Sequence, residues 1–289
     1  MPRLLITGAS GLLGGHLLHQ ARPGWQVLPL CHQHPMNDPA ARPLDLKRSI
    51  ELEASIEQFR PDVIIHAAAN ANLDDCERNR EAATAVNADA TATLARCARA
   101  VHARLIFIST DMVFDGLAGD YRETDPPRPI SHYGATKMLA EQATAATIEN
   151  HVIVRSALIY GRSIEGGHSF SQWMEDRLKK GDPVPLYFDQ YRTPILVANL
   201  AEAILELAAG SFTGILHLGG DRIDRYTFGE QLCRLAGYPV RLLQKVSMDR
   251  DHGAAPRPRD VSLNTELARS LLHTPLLSVA EGLKRMLEC

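Results

Sequence analysis

The run "SHYGATKMLAE" (131–141) sets a phenol, Tyr133, and an ammonium, Lys137, four positions apart, just after the proline-broken segment "TDPPRPI". On a helix, residues so spaced share one face. A free tyrosine titrates near pH ~10 and exchanges protons sluggishly at neutrality, so a positive charge beside it brings it closer to the working range of an acid or base. The same spacing also describes a surface helix with an amphipathic tyrosine and a solvated lysine. Upstream, the apolar run "RLIFIST" (104–110) ends in the hydroxyls of Ser109 and Thr110. In an open α/β sheet the carboxyl end of a strand is where ligands bind, and a hydroxyl there is suited to holding a substrate carbonyl.

A second constellation lies at the N-terminus. "ITGASGLLGGHLL" places Gly8, Gly11 and Gly14 between a strand-like and a helix-like segment. In that context Gly8 serves a tight turn, Gly11 lets a pyrophosphate approach the backbone, and Gly14 lets the helix pack closely on the strand. The first two glycines are separated by two residues, not one, yet a dinucleotide site is favoured over a mere glycine-rich turn. An acidic reader of the ribose 2′-hydroxyl belongs at the end of the second strand, but "VLPLCHQHP" has no carboxylate before Asp38. With His32 and His34 nearby, or simply on the loop surface, NADP(H) is favoured and NAD(H) stays open. Asp45, in "PLDL", closes a third strand and could reach an adenine edge; alternatively it caps a helix starting near Lys47. With a nicotinamide bound, Lys137 and the ring's positive charge would make Tyr133 a proton relay beside a hydride carrier.

The elements that must position these groups are legible as apolar runs. "RLLIT" (3–7), "WQVLPL" (25–30), "DVIIHAA" (62–68), "RLIFIST", "HVIVRSA" (151–157) and "GILHLG" (214–219) lack period-two alternation, as parallel strands covered on both faces do. Helical segments are expected at 12–21, 47–59, 79–102, 133–149 and 197–209. Their alternation predicts an α/β doubly wound parallel sheet, the Rossmann arrangement, with a smaller C-terminal substrate lobe. Residues 1–160 form the dinucleotide-binding domain, with 189–220 returning to it; 161–188 and 221–289 form the lobe. Its loop "DRDHGAAPRPRD" (249–260), with Pro256 and Pro258, should be extended and line a cleft.

Composition narrows the function. The 289 residues are 45% hydrophobic with a net charge of −3, which offers no basic field for nucleic acid or an anionic bilayer. No apolar run is long enough to span a membrane. Five scattered cysteines without a CxxC pair fit a reducing compartment, and the glycine-interrupted N-terminus reads as structure and not as a signal peptide, so a cytoplasmic location is expected.

With these motifs in hand, the chain resembles an extended short-chain dehydrogenase/reductase, and within it the dTDP-4-dehydrorhamnose reductase group of sugar-nucleotide reductases. The matching stretches are "TGASGLLG", "PDVIIHAAA", "VNADATATLA", "ISTDMVFDG", "YRETDPPRPISHYGATKMLAE", "RSALIYG", "FDQYRTPILVANLA" and "RPRDVSLN". The resemblance implies a catalytic set in which Thr110 orients the carbonyl, Tyr133 protonates the forming alkoxide, and Lys137 holds the ribose hydroxyls and depresses the tyrosine pKa. It implies cofactor contacts at Gly8, Ser10, Gly11, Leu12 and Leu13, and at His32, Asp45 and Leu46. Further contacts are implied at Ala67, Ala68, Ala69 and Ser109, beside Tyr133 and Lys137. Asn87 would support this network, or is a buried helix amide. A nucleotide sugar would meet Thr110, Asp111, Arg192 and Arg257, the arginines holding a diphosphate or else pairing with local carboxylates. The chain departs from the group at Leu158, where tryptophan is common, at Tyr191 and Arg192, where a glycine is frequent, and at Val261, where serine is usual. No acidic counterpart to the group's magnesium ligands occurs in "GGHLLHQ", so no metal is expected; a homodimer stays open.

The same scaffold serves dehydratases, epimerases and the regulatory beta subunit of methionine adenosyltransferase. Dehydratases follow the strand-end threonine with Asp-Glu, whereas here Met112 follows Asp111. Elimination is therefore disfavoured, while epimerisation and a non-catalytic binding role remain alternatives to reduction.

Overall fold

The computed structural model describes every residue except Gln33, Gly166, Gly167, Asp251, His252 and Cys289. The first strand, β1 (Arg3–Thr7), turns through the glycine loop into α1 (Leu12–Ala21), and β2 (Gln26–Cys31) pairs with it in parallel. A two-residue β3 (Arg42–Pro43) precedes α2 (Ser49–Phe59), and β4 (Val63–His66) returns to the other side of β1. Helices α3 (Leu73–Arg78), α4 (Arg80–Thr84) and α5 (Ala90–Ala100) lead to β5 (Arg104–Thr110), which α6 (His132–Thr147) joins to β6 (His151–Ser156). The chain then leaves the sheet through β7 (Ile159–Tyr160), α7 (Phe170–Lys180), β8 (Val184–Tyr187), β9 (Tyr191–Arg192) and β10 (Ile195–Leu196). It comes back by α8 (Val197–Ala209) and β11 (Gly214–Leu218), and ends with β12 (Ile223–Asp224), α9 (Arg225–Ala236) and β13 (Leu243–Val246) followed by short helices.

The seven-stranded sheet has the order β11-β6-β5-β4-β1-β2-β3, parallel throughout. The strands read as unbroken apolar runs because both faces are covered. Leu4, Ile6, Ile65 and Ile106 meet α1 and α8 on one side, while Leu5, Ile64 and Leu105 meet α2 and α5 on the other. A third apolar cluster holds the remainder together, with Met174 and Leu178 of α7, Val184 and Leu186 of β8, and Phe228 and Leu232 of α9.

Element boundaries depart from expectation in two places. The helix expected over 79–102 is three pieces: α4, a wide π-type turn at Ala85–Asp89, and α5. The widened turn carries Asn87, whose carboxamide takes the Asn70 N–H at 2.8 Å and donates to the Asn70 carbonyl at 3.0 Å. Such wide turns arise where one residue is pushed out of the regular ladder to make a specific contact. The second helix starts at Ser49 and not near Lys47, because the Asp45 side chain accepts the Lys47 N–H at 3.0 Å and the Arg48 N–H bonds the Asp45 carbonyl at 2.9 Å, a tight turn that precedes it. Asp45 itself lies two residues beyond β3.

Candidate active site

The strand order reverses between β4 and β1, and the carboxyl ends of the central strands open into a cavity of about 380 Å³. Leu13 of α1, Ala67 and Ala69 after β4, and Ser109, Thr110 and Asp111 at the end of β5 form its floor. Tyr133 and Lys137 of α6 enter from one side and Leu158 from β6's outgoing loop. Gln190, Arg192, Arg225 and Arg257 close it from the C-terminal segments.

Helix α6 is started by Ser131, whose hydroxyl accepts the Gly134 N–H at 3.2 Å; Gly134 is required there because a Cβ would lie 2.2 Å from the Met112 carbonyl. This close approach seats Tyr133 and Lys137, both buried, against the end of β5. The Lys137 ammonium lies 4.1 Å from the centroid of the Phe107 ring. Burial pulls its pKa down to about 7, with Glu141 one turn on drawing it back up. Burial pushes the Tyr133 phenol above its ordinary value; the Thr110 hydroxyl opposes this, while Asp111 and Cys76 add to it. The depressed phenol expected from the Tyr-Lys spacing is therefore not what the ligand-free site contains. Desolvation outweighs any charge on Lys137, and Tyr133 is held protonated, the state from which a proton is given.

Around this pair the polar groups are closely engaged. The Thr110 hydroxyl accepts the Met112 N–H at 3.2 Å and donates to Asp111 Oδ1 at 3.1 Å. Ser109 donates to Glu141 Oε1 at 2.5 Å, and Arg155 donates to the same carboxylate through Nε at 3.0 Å and Nη2 at 2.7 Å. Asp111 is buried, and among the described residues its Oδ2 has no hydrogen-bond donor; Arg192 Nε stands 3.4 Å from it. Burial shifts both partners toward neutrality, the carboxyl upward and the guanidinium downward, and their mutual attraction only partly opposes it. Both expected arginines do meet carboxylates: Arg257 pairs with Asp74 at 2.9 Å, and that carboxylate also accepts the Ala255 N–H at 2.9 Å.

The glycine turn fits a dinucleotide. Gly8 has φ +71° and a Cβ on it would lie 2.8 Å from Ala68 Cα; one on Gly14 would lie 2.0 Å from the Gly8 carbonyl. Among the described residues no side chain caps α1 at Gly11, and the first turn has no acidic residue, an arrangement that suits an anion. Beneath the turn, His66 bridges Thr7 Oγ1 at 2.7 Å and Thr91 Oγ1 at 2.9 Å, and Thr7 accepts the Ala68 N–H at 3.2 Å. Of the turn residues only Leu13 lines the cavity; Gly8, Ser10, Gly11 and Leu12 do not, nor does Ala68.

The remaining expected contacts divide. His32 and Asp45 are brought within 3.8 Å of each other, with Lys47 3.5 Å from the same carboxylate, beside the end of β2. Leu46 is instead packed in the apolar cluster under α2, and Asn87 is buried behind the cavity, where it clamps the loop at Asn70 and donates to Thr136 Oγ1 at 3.1 Å. Gln190 and Arg225 were not expected from the sequence. The signal for Arg225 was local: in "IDRYTF", Asp224 accepts the Thr227 N–H at 2.9 Å and so opens α9, putting Arg225 at the start of a helix that follows β12.

A doubly wound sheet, a glycine turn opening the first helix and a Tyr-Lys pair facing its carboxyl edge define the extended short-chain dehydrogenase/reductase class. The family model described as RmlD substrate binding domain matches residues 2–289, and the chain belongs to that family. It is 34% identical to a probable low-salt glycan biosynthesis reductase, Agl14, of Haloferax volcanii over 88% of this chain and 87% of that protein. It is 32% identical to methionine adenosyltransferase 2 subunit beta of Xenopus tropicalis over 91% of this chain and 80% of that one. Among solved structures, dTDP-4-dehydrorhamnose reductase from Bacillus anthracis in complex with NADP matches with a TM-score of 0.91 and 29% identity, covering 100% of this chain and 99% of that chain.

Proposed function

We propose that this protein reduces a keto group on a nucleotide-activated sugar with NADPH. The observation that carries the reading is the meeting of Thr110, Tyr133 and Lys137 in one cavity at the sheet's carboxyl edge, with the glycine turn between β1 and α1 at the same edge. NADP in the Bacillus anthracis reductase and the reductase name of the Haloferax relative support it. Residues 1–160 with 189–220 would hold the cofactor, and 161–188 with 221–289 the sugar nucleotide. Free buried cysteines suit a cytoplasmic setting, and among the described residues no helix is long and apolar enough to cross a membrane.

The cofactor's pyrophosphate would lie on the open N-terminus of α1, against Gly8 and Gly11, with His32 and Lys47 near the ribose 2′ position. A reduced nicotinamide held by these residues would supply the hydride that the keto carbon takes up. Thr110 donates a hydrogen bond to the carbonyl oxygen and fixes its position. Tyr133, held protonated by burial, gives its proton to that oxygen as negative charge develops on it. Lys137, poised near neutrality, holds the ribose hydroxyls and stabilises the phenolate left behind. Arg192 and Arg257 face the substrate's diphosphate.

Tyr133→Phe is expected to lower turnover by a factor of about 10²–10⁴, the usual contribution of a positioned general acid, with NADPH affinity nearly intact. Loss of NADPH absorbance on a panel of keto-sugar nucleotides measures it, and a variant of normal rate would remove Tyr133 from the mechanism. The likeness to the methionine adenosyltransferase subunit favours a second reading, a nucleotide-binding subunit serving a synthetase. Stable co-purification with a synthetase and no NADPH consumption on any member of the panel would select it.

A further inference from the structure

The cavity holds more positive charge than its carboxylates balance. Arg192 stands beside Asp111 and Arg257 beside Asp74, but among the described residues no carboxylate lies within ion-pair distance of Arg225, on which Asp111 acts only from farther away. Its guanidinium instead donates through Nε to Gln190 Oε1 and lies 4.7 Å from the centroid of the Phe170 ring. Burial and the neighbouring Arg192 and Arg257 pull its pKa down to about 9, which still leaves it charged at neutrality. Gln190 is 1% exposed, lines the same cavity, and among the described residues its Nε2 donor has no partner. An unmet buried donor beside an unpaired guanidinium is costly in an empty protein, and the group that satisfies both must be an anion with several acceptor oxygens.

We propose that Arg225 and Gln190 form a phosphate subsite for the diphosphate of the substrate, with the Arg225 fork and the Gln190 Nε2 donor gripping the same phosphate. The inference rests on the sugar-nucleotide reading above and adds the residues that read its charge. Arg192 and Arg257 reach the diphosphate only in competition with Asp111 and Asp74, whereas Arg225 is oriented in advance by Gln190 and stacked on Phe170. It is therefore the guanidinium whose charge is least offset before the ligand arrives. Gln190 acts in two ways, directly through Nε2 and as a positioning residue through its acceptor bond to Arg225.

Titration calorimetry of the full chain with dTDP, UDP, GDP and ADP tests this without requiring turnover. Wild type is expected to bind at least one of them, and Arg225→Met to weaken that binding roughly 10- to 100-fold, the range for loss of a hydrogen bond to a charged group, with a melting temperature no lower than that of wild type. Gln190→Ala should weaken it as well, and the double variant should be little worse than Arg225→Met alone, as expected of two residues acting as one unit. If Arg225→Met does not fold, Arg225→Lys keeps the charge, loses the planar fork, and must show the loss. Equal affinity in wild type and the Arg225 variant, or a wild type that binds no diphosphate, overturns the subsite. The reductase reading fails separately, by absence of NADPH oxidation with keto-sugar nucleotides while the Arg225 dependence of diphosphate binding persists.

Discussion

At the scale of single residues, the site is governed by desolvation more than by charge pairing. Lys137 is the clearest case, because between its folded pKa of about 7 and its ordinary value of 10.5 the unfolded chain binds the extra proton. Stability from this site therefore rises with pH through that window and is lowest below it. In ligand-free protein, Lys137→Met is expected to melt roughly 3 °C or more above wild type at pH 7, and the gap should close toward pH ~10. Thermal melts across that range check it, and a gap independent of pH would show that the amine is not desolvated. Tyr133 and Lys137 were legible because their spacing survives any detail of packing. Arg225 was not, since a lone arginine at a helix start reads as solvated until the fold reveals which carboxylates are missing around it. The direction of the tyrosine shift was also hidden, because burial is a property of the assembled cavity and not of two side chains on one helix.

At the scale of elements, glycines and apolar runs carried most of the information. The six long parallel strands lie where continuous apolar runs place them, since strands covered on both faces cannot afford polar alternation. The turn between β1 and α1 was equally plain. Gly14→Ala would drive a methyl group to 2.0 Å from the Gly8 carbonyl, and is expected to cost about 3 kcal/mol of stability and to abolish dinucleotide binding. Chemical denaturation alongside a cofactor titration measures both. The region 79–102 misled because its alanine-rich composition suits a continuous helix, whereas the interruption at Ala85–Asp89 answers to Asn70, a contact seventeen residues back that no periodicity announces. The network of Ser109, Glu141, Arg155 and His217 was similarly silent: each residue is ordinary on its own strand or helix, and only the pairing of β5, β6 and β11 lines them up.

At the scale of the whole molecule, buried histidines tie the packing to pH. His66 under the glycine turn and His217 on β11 are both held at about 3, chiefly by burial, with Lys137 beside the first and Arg155 beside the second. Unfolding lets each take up a proton between that value and 6.5, so stability is lost as pH falls through this window. The denaturant midpoint is expected to drop steadily from pH ~6.5 to ~4, and His217→Gln to drop less over the same range; parallel curves would remove His217 from the account. The broken rhythm after residue 160 raised the expectation of a smaller lobe, but nothing in that rhythm announced that Gln190 and Arg225 line the cavity.

The hold of Asp74 on the C-terminal loop has one more consequence. A single carboxylate grips Arg257 and the Ala255 amide together, one bond from a flexible side chain and one from the main chain two residues away. Both bonds end on the same carboxylate, so replacing it releases side chain and main chain together. Stopped-flow records of ligand entry should then resolve one exponential for this segment, and Asp74→Asn should quicken it without adding a second phase.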